Sequence, residues 1–297
     1  MAGGLKEVRE RITSVGSTQQ ITKAMKMVSA AKLKKASDAI IQMRPYALKL
    51  QDMLSNIMTS LGDDTGNLNY SEQREANNVL IALVTSDRGL CGAFNTNLVK
   101  KVKTLLETSY ASQYAAGNVT ILSVGKKGMD AFKNEDIEIN TDFMNLFADL
   151  TFDNSRETSE YVIDRFLDGT YDVIDVVFGE FKNAAVQNVK ADRFLPVDIS
   201  AKVDTSGKEY RADYIFEPEK QRLLEELIPK ILKTQFHRYL LDTSASEHGA
   251  RMMAMDQATE NANDLLKELR LSYNRARQAA ITTEISEIVG GVVALEG

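Results

Sequence analysis

The chain has 297 residues, 43% of them hydrophobic and 26% charged, with four prolines, no tryptophan and a net charge of −6. That length allows one α/β domain plus an elongated element. No run approaches the roughly eighteen apolar residues of a membrane span, no leader peptide is expected before the first helix, and the single Cys91 excludes an internal disulfide.

From Leu5, alternating steps of three and four reach Leu61 through seventeen positions, of which thirteen are apolar. This is a heptad seam, and it predicts an N-terminal coiled-coil helix over residues 1–61, with a kink at Arg44-Pro45. The four polar exceptions, Gln19, Thr22, Lys26 and Ser29, are consecutive. Beside them lie Ile21, Met25 and Val28, so the seam is expected to shift phase there and resume at Leu33. Residues 1–44 hold nine Lys or Arg against three acids, and residues 21–35 hold five lysines and no acid. Such a face attracts an acidic surface, although a solvated helix face gives the same pattern. Nucleic acid is not expected, because the chain is acidic overall and no binding motif accompanies the lysines.

Glycine and Asx residues over 62–67 end the helix, and a polar linker follows to Asn78. Short apolar runs at 79–84, 119–124 and 173–178, with a weaker one at 137–139, then read as buried strands. Helical segments at 95–115, 129–133 and 155–167 separate them, and residues 194–197 read as an edge strand because Pro196 cannot serve a central one. This alternation predicts an α/β class fold, a central doubly wound Rossmann-like parallel-sheet domain over residues 77–200. The turn Thr85-Ser86-Asp87-Arg88-Gly89-Leu90-Cys91-Gly92 stands where such sheets cradle phosphate, yet it fits neither G-x-G-x-x-G nor G-x-x-x-x-G-K-[ST]. It reads as a glycine-shaped strand-to-helix turn, and no cofactor is expected.

Residues 217–297 form the C-terminal coiled-coil helix. Glu217-Pro218-Glu219 opens it, Pro229 marks another kink, and from Ala250 to Val289 neither proline nor glycine interrupts it. Two antiparallel helices tied together at residues 61 and 217 cannot finish together, because the second is longer. From about Asn274 onward it lacks a partner within the chain. That end carries Ile281, Ile285, Ile288, Val289, Val292, Val293 and Leu295, a face that needs cover. A socket in another protein, a fold-back or self-association would each supply it. Alanines at 254, 258, 262, 276, 279 and 280 keep the rod thin, and Arg275, Arg277, Gln278, Thr282 and Thr283 provide polar grip. No catalytic or metal constellation is expected: His237 and His248 stand eleven apart, and no serine or cysteine is coupled to a base.

Residues 21–28 (Ile-Thr-Lys-Ala-Met-Lys-Met-Val), the turn at 85–92 and the run from Ala250-Arg251-Met252 through Tyr273-Asn274-Arg275-Ala276-Arg277-Gln278-Ala279-Ala280-Ile281-Thr282 resemble the gamma subunit of F-type ATP synthases of bacterial type. The resemblance spans the chain and is loosest over residues 100–215. It implies a non-catalytic rotor shaft inside an alpha3/beta3 hexamer of F1. Below the hexamer the domain would contact the epsilon subunit and the c-ring of Fo, peripheral to the cytoplasmic face of the cell membrane and joined to it only through partners. Met25, Lys26 and Arg251 would face acidic loops of beta. Arg277, Gln278 and Thr282 would form a polar catch, and Ile285, Ile288, Val292 and Leu295 would turn in the hexamer's sleeve. His248-Gly249 departs from the helix-favouring residues of that family and marks an expected local weakness. A static coiled-coil adaptor or stator and a nucleotide-binding α/β enzyme are the alternatives.

Overall fold

The computed structural model describes residues 2–61, 69–197 and 220–296, with side-chain surroundings for 5–50, 53, 69–197 and 226–292. Residues 62–68 of the linker and the Glu217-Pro218-Glu219 opening lie outside the described residues. The elements are α1 (Ala2–Leu61), β1 (Val79–Val84), α2 (Phe94–Thr108), α3 (Ala111–Ala115), β2 (Val119–Val124), α4 (Lys126–Phe132), β3 (Glu138–Asn140), α5 (Phe152–Leu167), β4 (Val173–Phe181), β5 (Gln187–Leu195) and α6 (Lys220–Glu296). They divide into two compact units, residues 31–250 and residues 1–30 with 251–297.

In the first unit the sheet order is β3-β2-β1-β4-β5. β1 pairs in parallel with β2 and β4, and β2 with β3, so the chain winds outward one way from β1 and then returns to its other side. β5 closes the edge antiparallel to β4. The edge strand expected at 194–197 is therefore longer and earlier, and Pro196 falls just beyond it. Every residue of β1 and β2 is buried, since helices cover both faces; β1 is apolar throughout, and β2 buries Thr120 and Ser123 with their hydroxyls bonded to Glu138 and the Gly125 carbonyl. α5 and the stretch of α6 that carries Ile228, Leu232, Phe236 and Leu240 pack on one face with Leu80, Leu122 and Ile174. α2 and α4 pack on the other, placing Leu98, Val102 and Phe132 against Ile81, Leu83 and Ile121.

The helix expected over 95–115 breaks at Ser109-Tyr110. Tyr110 turns inward, and its hydroxyl donates to Asp175 on β4, which also accepts from Arg193 Nε at 2.6 Å. Both long helices run unbroken through their prolines, Pro45 and Pro229. α6 also continues as helix through His248-Gly249. A Cβ on Gly249 would stand 3.3 Å from the backbone of Ala184, so the missing side chain lets the β4–β5 turn lie close against the helix.

In the second unit, α1 and α6 run antiparallel. Gln19 Nε2 donates to Asn263 Oδ1 at 2.7 Å, Thr259 Oγ1 to Thr22 Oγ1 at 2.8 Å, and Lys26 Nζ to Asp256 Oδ1. These contacts correct the expected phase shift. Thr22 and Ser29 are buried at 8% and 3% exposure, whereas Ile21 and Val28 are 59% and 57% exposed. The seam keeps one phase and becomes polar, because the facing helix offers polar partners at the same levels.

Candidate functional site

Paired residue numbers across the two arms add to 281 or 282, so Ala2, the first residue of α1, stands level with residue 279 or 280. The sequence expectation placed the start of the unpartnered end at about Asn274. It begins some six residues later, because α1 starts at Ala2 rather than Leu5 and the arms pair slightly further along. Residues 281–296 remain, a helical stretch of about 24 Å at ~1.5 Å per residue.

Its large apolar side chains up to Val292 are open. Ile281 is 47% exposed, Ile285 55%, Ile288 66% and Val292 49%. They fall at helical spacing on one stripe and do not fold back on their own unit. Leu295 lies outside the residues whose side chains are described. Leaving each large apolar group uncovered forgoes about 1.5–3 kcal/mol of burial.

Gln278 and Thr282 precede Ile285 at four- and three-residue steps, so polar and apolar groups share one face. Arg277, Gln278 and Thr282 are all exposed, and the Thr282 hydroxyl is turned onto the Gln278 carbonyl of its own helix at 2.9 Å. The expected catch thus straddles the level where α1 ends.

The other expected contact residues divide. Met25 is half-buried, and Lys26 is half-exposed and paired with Asp256. Arg251 is 8% exposed and engaged by other groups of the chain, so little of it is left to meet an incoming surface. Sequence reading missed the polar pairs Gln19–Asn263 and Thr22–Thr259. The signal was present in both arms: positions 19, 22 and 26 and positions 256, 259 and 263 each step by three and then four.

The turn after β1 spends several of its polar groups internally, although Asp87 Oδ1 is buried without a hydrogen-bond partner. Gly128 N donates to Thr85 Oγ1 at 2.8 Å and Lys127 N to Ser86 O at 3.1 Å, so protein atoms take the opening amides of α4 that would otherwise meet phosphate. Asn95 closes the turn by accepting from Ser86 N and donating to Cys91 Sγ at 3.2 Å. Beside β1, where the strand order reverses, Thr243 and Ser246 of α6 are fully buried and hydrogen-bond Gly179 of β4. The crevice that serves ligands in open sheets of this kind is filled by the chain's own helix.

A cavity of about 550 Å³ lies among α1, β4, β5 and α6 of the α/β unit. Arg44, Lys182 and Arg238 face it together with Glu180 and Asp242, so it presents no single sign of charge. Burial raises the Asp242 carboxyl from 3.8 to about 6, against the pull of Arg238.

The family described as ATP synthase matches residues 4–295 of this chain. An ATP synthase gamma chain from Cytophaga hutchinsonii is 53% identical over 291 residues, covering 98% of each chain. One from Flavobacterium psychrophilum is 50% identical over 293 residues, covering 99% of each. Among solved structures, a chain of the Euglena gracilis mitochondrial ATP synthase rotor superposes with a TM-score of 0.62 at 21% identity, over 95% of this chain and 100% of that one, which bears on the fold alone. The polar and apolar face of α6, the paired arms and the closed α/β turn therefore sit in a sequence related along nearly its whole length to one set of proteins, and the chain belongs to the ATP synthase gamma chain family.

Proposed function

We propose that this chain is the non-catalytic central rotor shaft of an F-type ATP synthase, coupling proton-driven rotation of a membrane c-ring to ATP synthesis in an alpha3/beta3 hexamer. The observation that carries this reading is the exposed apolar stripe of Ile281, Ile285, Ile288 and Val292, at the end of a helix that has outrun its partner. A sleeve in the hexamer would cover it, and Arg277, Gln278 and Thr282 would catch the beta subunit at its rim. Met25 and Lys26 would meet acidic loops of beta lower down, with the near-buried Arg251 steadying that level from within. The α/β domain would take the epsilon subunit and the c-ring. Among the described residues no helix is long and apolar enough to cross a membrane, so attachment to the cytoplasmic face of the bacterial membrane would run through those partners.

Coupling follows from asymmetry. One shaft among three equivalent beta subunits touches each differently, so turning it changes their nucleotide affinities in sequence through differential contact. In the assembled complex, a disulfide between Met25→Cys and a cysteine placed in the facing loop of one beta subunit should stop ATP turnover, and reduction should restore it. Full turnover with the cross-link complete would overturn the rotor reading, since only a static shaft tolerates it.

A further inference from the structure

We infer that the three polar layers Gln19–Asn263, Thr22–Thr259 and Lys26–Asp256 are a register lock, which fixes how far the end of α6 projects past α1. An apolar heptad seam is forgiving: sliding one arm by seven residues restores apolar against apolar, and small alanines along α6 offer little to stop it. A projection set by such a seam alone would be poorly defined. One slip changes it by about 10 Å at ~1.5 Å per residue.

Polar layers remove that freedom because each must find its counterpart. In the observed register Gln19 Nε2 donates to Asn263 Oδ1 at 2.7 Å, and Thr259 donates to Thr22, whose own hydroxyl passes on to the Gln19 carbonyl at 3.0 Å. Thr22 is only 8% exposed, so its hydroxyl depends on these partners rather than on water. Slipping one way sets Thr22 against Leu266 and Asn263 against Lys26. Slipping the other way sets Asn263 against Ile12 and Thr259 against Val15. Either slip parts the half-buried amides of Gln19 and Asn263 and leaves the Thr22 and Thr259 hydroxyls only the carbonyls of their own helices, Gln19 and Met255, in place of each other. The layers are adjacent, so one misplaced heptad breaks all three at once. The lock also accounts for Ile21 and Val28 lying outside the seam, since bringing them in would rotate Thr22 and Ser29 away from α6. This inference concerns the chain by itself and stands apart from the rotor reading.

The test uses the full chain with Cys91→Ser and spin labels on Ser17→Cys and Glu268→Cys, two exposed positions beside the seam. Pulsed electron resonance should give one inter-label distance. Replacing Gln19, Thr22, Thr259 and Asn263 together by leucine should keep the helical circular dichroism and add a population displaced by about 10 Å. Exchanging the polar pair instead, as Gln19→Asn with Asn263→Gln, should retain the single distance. A single, unshifted distance in the all-leucine variant would overturn the lock. So would a split distribution in the exchanged variant, because hydrogen-bonding capacity would then not be what sets the register.

Discussion

In the α/β unit, β1 is buried along all six residues, and Ile81, Leu83 and Phe166 have no exposed surface at all. Along the paired arms, the best-covered apolar residues of α6, Met255, Ala262, Leu266 and Leu269, keep 5–9% exposure, and three neighbouring layers are polar. The sheet is held by quantity of burial, with two helical layers enclosing it. The arms have only each other, so at those three levels specificity of pairing takes the place of apolar bulk. A two-helix seam cannot match a three-layer core in stability, and it can be attacked without unfolding the sheet.

The largest expected effect breaks the core. Phe166→Ala should cost about 3–5 kcal/mol in urea denaturation followed by circular dichroism, as a large aromatic leaves a cavity among helix and sheet side chains that cannot collapse. Leu266→Ala should fall at the low end of the range for such truncations, about 2 kcal/mol. Equal losses at the two positions would erase the distinction between enclosed core and open seam.

Next in size are two titrating groups of the α/β unit, one buried and one half-buried. Asp242 is 5% exposed, and burial raises its carboxyl from 3.8 to about 6. The folded state therefore holds that proton more tightly than the unfolded chain. Stability from this group is complete below about 4 and lost as pH rises to 6, where Arg238 and Arg44 offset the charge and Glu180 adds to it. Asp242→Asn should gain about 2 kcal/mol at pH 8 relative to pH 4. His237 works in the other direction. Burial holds its imidazole below 6.5 while Ser155 hydrogen-bonds Nδ1 at 2.7 Å, so its contribution is present above 6.5 and lost as pH falls. His237→Phe should flatten the acid limb of a stability–pH profile, and an unchanged limb would remove His237 as its cause.

The same contrast explains what could be read from sequence. β1 and β2 stand where their largely apolar runs predict, because burial on both faces favours one kind of side chain, and Thr120 and Ser123 of β2 fit there by hydrogen-bonding Glu138 and the Gly125 carbonyl. The two long helices follow from the scarcity of interruptions. β5 was less legible: Lys190, Asp192 and Arg193 give an edge strand too polar to stand out beside β4. Tyr110 ended α2 for a tertiary reason, its hydroxyl bond to Asp175, that no local pattern contains. Of the candidate site, the apolar end was visible from arm lengths. The polar layers were not, because hydrophobicity scored on α1 alone favours Ile21 and Val28, and only Asp256, Thr259 and Asn263 on the other arm reverse that choice.

The smallest effect sharpens the comparison most, because it asks how an arm layer differs from a sheet layer. Lys26 and Asp256 form an ion pair with side chains 40% and 52% exposed. Solvent screens such a pair, and holding two flexible side chains in one geometry costs entropy, so a double-mutant cycle to alanine should return a coupling of about 0–1 kcal/mol. That coupling should shrink toward zero in 1 M salt, where the screening length is only about 3 Å. The same cycle on Thr22 and Thr259 should be insensitive to salt, since neither carries charge and Thr22 is largely shielded from water. If both couplings fell together in salt, the arms would be held by long-range charge rather than by matched layers, and the division between enclosed sheet and specifically paired arms would have to be drawn elsewhere.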